Sequence, residues 1–236
     1  MLPSKLLLSL QSVEELQSIR GWTFPWLDLK NPGAGSLGCP EAGVAEAFLV
    51  EAERQVDRNQ CQLSIAIGEL TELAWSEILP IVAEFDFAKV ALAGCVARKD
   101  WKPNAIDLAA ELPAPDRLIL VHYADHHRAA APDWAATLET AVALSSRFLL
   151  IDTFDKSAGR LWDYYSPDRI QELAKEASAK GIRLSIAGSL RLDDLPRARQ
   201  LGAAVVGVRG AACQDGSRVL GLSRDRIKML SEIFAH

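Results

Sequence analysis

The sequence predicts an α/β fold, a single (β/α)8 barrel of the TIM type that occupies residues 1–236 as one domain. The chain length lies in the usual range for such a barrel, and short apolar strands alternate with helical patterns along it. No GxGxxG motif follows the first predicted strand, which argues against an open, dinucleotide-binding sheet.

Eight short segments are rich in β-branched or aliphatic residues. The first four are KLLLSL near Leu6, PWLDL near Leu27, QLSIAIG near Ile65 and FAKVAL near Lys89. The other four are RLILVHYAD near Leu118, RFLLIDT near Leu149, IRLSIAGS near Leu184 and AAVVGVRG near Val206. Strands that alternate with helices form parallel sheets, and the count of eight favours a closed barrel.

The intervening helices carry recognisable start signals. Ser12 followed by Glu15 predicts a capping box, with Glu15 reaching back to the start of the first helix. Ser166 and Pro167 predict a capped start for a later helix, and Ser223 opens the last one. The weakest stretch is 93–116, where we expect an irregular loop before its helix.

Composition narrows the class of protein. The formal net charge is −5 with mixed signs, so we expect neither nucleic acid nor a membrane surface as a partner. The N-terminal apolar run is too short to span a bilayer and lacks the features of a signal peptide. The scattered cysteines form no CxxC pair, which favours reduced thiols in the cytoplasm: Cys39, Cys61, Cys95 and Cys213.

Three of the four histidines, His122, His126 and His127, fall within six residues, which raises the question of a metal site. The alternative is a polar loop after a strand. No cysteine or carboxylate partner stands at zinc-like spacing, so we favour the loop and predict no metal.

Asp28 and Lys30 stand two residues apart in the second predicted strand. Alternate strand side chains share a face, so both should enter the barrel together near its mouth while Leu27 and Leu29 face the helices. The active sites of such barrels lie at the C-terminal ends of the strands. A structural ion pair is the alternative interpretation.

Lys89 is the strongest single indication of chemistry, because a lone lysine inside an apolar strand is costly unless paired or neutral. With Ala88, Val90 and Leu92 facing the helices, Lys89 points into the barrel. Two lysines in one enclosed space disfavour each other's ammonium forms. A neutral amine can attack a carbonyl, so the arrangement suits a Schiff base.

The sixth strand ends at Asp152, and Lys156 follows in the loop. A carboxylate there can position an ammonium group or move a proton while an imine forms and collapses. The alternative is a carboxylate that only satisfies loop amides. Tyr123 and Asp125, after the fifth strand, are predicted wall residues.

The loops after strands seven and eight are the usual phosphate site of this fold. Glycines let backbone amides approach phosphate oxygens, and an arginine can bind phosphate with its planar fork. The loop from Gly33 to Gly38 is a candidate cradle for a second phosphate, although glycine at strand ends is also ordinary turn chemistry. The candidate phosphate-binding residues are Gly188, Ser189, Gly207, Arg209 and Gly210.

Six motifs together resemble those of the (5-formylfuran-3-yl)methyl phosphate synthases and extend over essentially the whole chain. They are DLKNPGAGSLG, FAKVAL, YAD, LIDT with Lys156, LSIAGS and VGVRGAAC. That resemblance implies a lyase that condenses two molecules of glyceraldehyde 3-phosphate, with loss of one phosphate and water, in methanofuran-type cofactor biosynthesis. It implies that Lys30 forms the Schiff base and Lys89 accepts the proton, assisted by Asp28, Asp152 and Lys156.

The resemblance and the residues together imply a phosphorylated triose as substrate and no metal or organic cofactor, since the lysine serves as electron sink. The sequence differs from the pattern of archaeal family members in two places, at Cys39-Pro40-Glu41 and in the stretch 93–116. These differences are compatible with a bacterial member of the family. Other interpretations stay open: another Schiff-base aldolase, a phosphosugar isomerase, or a barrel that binds a phosphorylated metabolite without turnover. A homo-oligomer is also left open.

Overall fold

A computed structural model of the chain describes residues 4–72 and 78–235. Eight parallel strands form a closed barrel in which each strand pairs with the next and the last pairs back to the first. They are β1 (Lys5–Leu10), β2 (Trp26–Leu29), β3 (Gln62–Glu69), β4 (Phe87–Ala91), β5 (Leu118–Tyr123), β6 (Phe148–Asp152), β7 (Arg183–Ile186) and β8 (Val205–Val208). The predicted barrel and all of its predicted strands are confirmed.

Helices connect the strands on the outside of the barrel. Those of the described ranges are α1 (Val13–Ser18), α2 (Ala42–Gln55), α3 (Leu79–Val82), α4 (Trp101–Ala110), α5 (His126–Ala129), α6 (Trp134–Ala143), α7 (Leu161–Tyr164), α8 (Pro167–Ala179), α9 (Leu195–Ala198) and α10 (Arg224–Phe234). In the stretch 93–116, a 3-10 turn at Cys95–Ala97 precedes α4, which is the irregular loop expected there.

The predicted helix starts are confirmed at Ser12, Ser166 and Ser223, whose hydroxyls accept hydrogen bonds from backbone amides in the first turns of α1, α8 and α10. The capping box at α1 needs a correction. The Glu15 carboxylate accepts from the backbone N–H of Gln11 at 2.9 Å instead of from Ser12, because it also faces an arginine described below.

Three aromatic rings close the N-terminal end of the barrel. Trp26, Phe87 and Phe148 are the first residues of β2, β4 and β6, and their ring centroids lie 4.9 to 5.3 Å apart. Such offset and edge-to-face contacts fill this end with apolar atoms. Polar chemistry inside the barrel is therefore confined to the C-terminal end, where the strands deliver Asp28, Lys89 and their neighbours.

In the described ranges 4–72 and 78–235, no helix combines the length and the apolar character that crossing a bilayer requires.

Candidate active site

A cavity of about 690 Å³ opens at the C-terminal ends of the strands. Of the catalytic and phosphate-binding residues predicted from the sequence, all but Asp28 line it: Lys30, Lys89, Asp152, Lys156, Gly188, Ser189, Gly207, Arg209 and Gly210. The fold thus brings residues from five strands and their loops to one place, as the barrel topology requires.

Asp28 lies beneath the cavity and holds Lys89. Its carboxylate is inaccessible to solvent, and its Oδ1 is 2.5 Å from the Nζ of Lys89. Ser64 and Ser9 donate hydrogen bonds of 2.7 and 2.9 Å to the two carboxylate oxygens. A buried charge is tolerable when it is paired and hydrogen-bonded in this way. The buried ion pair of β2 is therefore made with Lys89 and not with Lys30.

Lys30 differs from Lys89 in its surroundings. Its side chain is buried, and among the described residues its Nζ has neither a carboxylate within ion-pair distance nor a hydrogen-bond acceptor. Burial lowers the pKa of Lys30 to about 7, and the charge of Lys156 adds to this, while Asp152 acts in the opposite direction. Roughly half of the amine is neutral near pH 7, where a free lysine is almost fully charged. A neutral amine can attack a carbonyl, so the predicted role of Lys30 as nucleophile is compatible with these surroundings and stays a prediction.

Asp152 and Lys156 form an ion pair beside Lys30. Asp152 also accepts from the backbone N–H of Thr153 at 2.8 Å, so it both binds a lysine and satisfies a loop amide. Burial raises the pKa of Asp152, but the charges of Lys156 and Lys30 outweigh it and leave that pKa below its ordinary value. Burial also lowers the pKa of Lys156. The pair places a carboxylate and a second amine next to Lys30.

The loop after β2 begins at Lys30, and local contacts explain its glycines. The backbone N–H of Asn31 donates to the carbonyl of Gly38 at 2.8 Å, and a Cβ on Gly38 would lie 2.2 Å from the Asn31 carbonyl oxygen. Gly35 has a φ of +109°, which favours glycine. The hydroxyl of Ser36 donates to the carbonyl of Thr153 at 2.8 Å, so this loop is joined to the loop after β6. A second phosphate cradle here stays a prediction.

The loops after β7 and β8 approach the cavity with little side-chain bulk. Gly188 has a φ of +116° and Ser189, although not a glycine, has a φ of +53°. A Cβ on Gly210 would lie 2.8 Å from the carbonyl oxygen of Gly216. These close approaches explain the glycines, while phosphate binding by these loops stays a prediction.

Arg209 corrects one prediction. Its Nη1 and Nη2 are 2.5 and 2.9 Å from the two carboxylate oxygens of Glu15, and both side chains are buried. The remaining donors go to the backbone carbonyls of Ser9, Arg218 and Leu220. An arginine has five N–H donors, so this guanidinium has none left for a phosphate. The predicted phosphate contact through its fork is wrong for this arrangement, and Arg209 instead joins β8 to α1.

The sequence reasoning missed Arg218, which also lines the cavity. It lies between β8 and α10, and its Nη2 donates to the carbonyls of Gly35 and Pro32 at 2.9 and 3.3 Å. Arg218 could have been predicted from the sequence as a site residue, because it is a basic residue in the loop after the eighth strand, where anion sites of this fold occur.

Tyr123 and Asp125, the predicted wall residues, do not line the cavity and support it from behind. The hydroxyl of Tyr123 donates to Glu69 Oε1 at 2.6 Å, and burial raises the pKa of this tyrosine. Asp125 accepts from the backbone N–H groups of Phe154 and Asp155 at 2.6 and 2.9 Å. It therefore fixes the loop that carries Lys156.

None of the three clustered histidines, His122, His126 and His127, lines the cavity. His122 is part of β5 and not of a loop, and its Nε2 is 2.8 Å from the Oη of Tyr165 outside the barrel. Burial lowers its pKa to about 3, so the ring is neutral near pH 7. His126 and His127 lie in the short helix α5 that follows β5, where the sequence predicted a polar loop.

Solved structures share this fold at low sequence identity. The chain is similar to 3-hexulose-6-phosphate synthase from Salmonella typhimurium, with a TM-score of 0.60, 12% identity and 98% of each chain covered. It is similar to 3-keto-L-gulonate-6-phosphate decarboxylase from Vibrio cholerae, with a TM-score of 0.59, 13% identity and coverage of 99% and 98%. At such identities the likeness establishes the barrel fold alone.

Comparison with sequence relatives identifies the family as well as the fold. The chain is 31% identical over 242 aligned positions, covering 100% of both chains, to a (5-formylfuran-3-yl)methyl phosphate synthase of Methanopyrus kandleri. It is 26% identical to the protein of the same name from Methanocaldococcus jannaschii, with 97% and 98% covered. The model of a family described as 4-HFC-P synthase matches residues 6–231. The chain belongs to the 4-HFC-P synthase family.

Proposed function

We propose that this chain condenses two molecules of glyceraldehyde 3-phosphate into (5-formylfuran-3-yl)methyl phosphate through an imine on Lys30. The observation that carries the proposal is the buried, unpaired amine of Lys30, whose pKa of about 7 gives it a neutral fraction at physiological pH. The names of the relatives supply the product, and the chemistry of the cavity supplies the mechanism.

The charge of the cavity suits two phosphorylated substrates. Its lining is rich in cations and poor in acids, so a pair of phosphate groups would find compensating charge there. The cationic residues of the lining are Lys30, Lys89, Lys156, Arg160, Arg191, Arg209, Arg218 and Arg226, against Asp152, Asp193 and Asp215. One phosphate leaves during the reaction and the other stays in the product.

Imine formation uses the two lysines in different states. Neutral Lys30 attacks the aldehyde carbon of the first triose and forms a carbinolamine. Lys89, held as an ammonium by Asp28, donates a proton to the carbinolamine hydroxyl, which leaves as water. The neutral amine that results on Lys89 then accepts the proton from C2 of the imine. One lysine thus acts first as acid and then as base.

The remaining steps follow from the enamine. Phosphate leaves from C3 of the first triose, a new carbon–carbon bond forms with the second triose, and ring closure with dehydration gives the furan. Two C3 units yield one C6 product, one phosphate and two waters, with the Lys30 amine regenerated by hydrolysis. Asp152 and Lys156, beside Lys30, relay protons in these steps. No metal or organic cofactor is required, because the imine is the electron sink.

The first test is borohydride reduction in the presence of glyceraldehyde 3-phosphate, followed by peptide mass mapping. We expect a reduced adduct on Lys30 that is absent from Lys30→Ala, and a product with the near-ultraviolet absorption of a furan aldehyde. An adduct without furan absorption would point to another Schiff-base aldolase. Turnover to a ketose phosphate without an adduct would indicate an isomerase, and binding with neither would indicate a non-catalytic barrel.

As part of the proposal, the product supplies the furan of a methanofuran-type one-carbon carrier, and the reaction takes place in the cytoplasm. The free thiols of Cys39, Cys61, Cys95 and Cys213 are compatible with a reducing compartment.

A further inference from the structure

We propose that Arg218 and Lys156 form the subsite that binds the phosphate of the imine-forming triose, the phosphate that is later eliminated. This inference rests on the proposed function for the identity of the substrate. The sequence motifs predict phosphate binding in the loops after β7 and β8, but not by Arg218. The names of the relatives assign no ligand to Arg218 either.

Arg218 has both an anchor and unused donors. Its Nη2 donates to the carbonyls of Gly35 and Pro32, which fixes the guanidinium against the loop that follows Lys30. In the part of the chain that the structure describes, Nε and Nη1 of Arg218 have no protein acceptor. An arginine that is held in place and retains free donors at a cavity wall is organised to bind an anion.

Two other arginines of the lining, Arg209 and Arg160, are less suited to this role. The guanidinium of Arg209 is saturated by Glu15 and three carbonyls. Arg160 is paired with Asp194 at 3.2 Å. Within residues 4–72 and 78–235, Arg218 forms no ion pair with a carboxylate, so its charge is available to a bound anion.

The position of Arg218 connects the subsite to the reacting amine. It binds the carbonyl of Gly35, and the next residue, Ser36, has its Oγ 3.4 Å from Asp152 Oδ2. Asp152 in turn pairs with Lys156. Lys156 and Arg218 both line the cavity, so the two cations face the same space. A phosphate between them would lie beside the Asp152 carboxylate that faces Lys30.

The subsite would serve the elimination step. When the C2 proton of the imine has gone to the base, the electron pair forms the C2–C3 double bond as the C3–O bond breaks. Phosphate leaves with the electrons of that bond, and the cations of Arg218 and Lys156 stabilise its charge. Electrostatic groups that already stand at the site of developing charge need no rearrangement.

The first test measures binding of inorganic phosphate by calorimetry, without any turnover. Arg218→Gln is expected to weaken it by about tenfold to a hundredfold, the loss of charge-assisted hydrogen bonds. Arg224→Gln is the matched control, because Arg224 is exposed at the start of α10, six residues further along the chain. Equal phosphate affinity in wild type and Arg218→Gln would overturn the subsite.

The second test compares borohydride trapping with glyceraldehyde 3-phosphate and with glyceraldehyde. In Arg218→Gln, trapping of glyceraldehyde 3-phosphate should fall by a larger factor than trapping of glyceraldehyde, so the preference for the phosphorylated aldehyde decreases. Equal losses with both aldehydes would show that Arg218 only ties two loops together. Absence of any adduct on wild-type enzyme would remove the proposed function, whereas the phosphate titration would still decide the subsite.

If Arg218→Gln does not fold, the wild-type enzyme decides the question. Phenylglyoxal modifies accessible arginines, and phosphate should slow its reaction at Arg218 but not at Arg224. Equal modification of Arg218 with and without phosphate would overturn the proposal.

Discussion

Asp28 on β2 and Lys89 on β4 form a buried ion pair of 2.5 Å at the floor of the cavity. The pair leaves Lys30, the residue that follows β2, without a counterion in the described part of the chain. Lys89 therefore has a buried counterion, whereas burial without one lowers the pKa of Lys30. The chemistry proposed above needs this difference, since imine formation takes a nucleophile and an acid at once.

Replacing Asp28 by Asn should destabilise the protein, because it leaves the buried Lys89 without its counterion. Breaking a buried pair by removing one partner costs about 3–5 kcal/mol, and a protein of this size loses about 2–4 °C of Tm per kcal/mol. Thermal unfolding followed by circular dichroism measures the effect. Furan formation should be lost as well.

The double variant Asp28→Asn with Lys89→Met is the control for this explanation. It removes the unpaired charge, so it should recover more than half of the lost stability while furan formation stays absent. If Asp28→Asn alone were as stable as wild type, the carboxylate would not be holding a charged lysine.

The rate of adduct formation on Lys30 should rise with pH and level off above about 7, following the neutral fraction of an amine with that pKa. Quenched-flow borohydride trapping between pH 5 and 9 measures it. Because the Asp152 charge raises the pKa of Lys30, Asp152→Asn should move the midpoint to lower pH. A midpoint near 10 in wild type would mean that the amine is not desolvated.

The fold was largely predictable because its signals are local. Strand alternation alone places Asp28 and Lys89 inside the barrel, and the apolar strands around them predict parallel pairing. Which lysine pairs with Asp28 depends on the register of β2 and β4, set across β3, where Asp28 lies beside Ser64 and Lys89 beside Ala66. Such registers follow from packing of the whole barrel and cannot be read from one segment.

The role of Arg209 could not be predicted for the same reason. Its partner Glu15 is 194 positions away in the sequence, and local pattern made Glu15 a capping residue of α1. A glycine-rich loop with one arginine predicts an anion site, but only the three-dimensional contacts show that this guanidinium is saturated. The nearby Arg218 has the free donors, and nothing local to either residue distinguishes the two.

Glu15→Gln should destabilise the protein, since it leaves the guanidinium of Arg209 buried without a counterion. We expect a loss of about 3–5 kcal/mol, measured as a lower midpoint of guanidinium chloride unfolding. Glu14→Gln is the matched control, because Glu14 is an exposed neighbour in the same helical turn. Equal midpoints for the two variants would show that the Glu15–Arg209 pair does not contribute to stability.

Lys30→Met should abolish adduct formation and yet stabilise the fold, because it removes a buried amine that has no partner. The folded pKa of about 7 lies below the ordinary 10.5. The destabilisation of the folded protein that results from the lowered pKa of Lys30 is therefore at its full value below pH 7. It decreases between pH 7 and 10.5 and is absent above pH 10.5. The stability gain of Lys30→Met over wild type should accordingly be larger at pH 6 than at pH 9, by on the order of 2 kcal/mol.

Chemical unfolding at the two pH values measures this difference. Lys228→Met, at an exposed position of α10, controls for removal of one positive charge and should show no such pH dependence. A gain for Lys30→Met that did not change with pH would mean that the amine has an ordinary pKa in the folded protein. In that case Lys30 would not be poised as a nucleophile near pH 7, and the imine would have to form on another lysine.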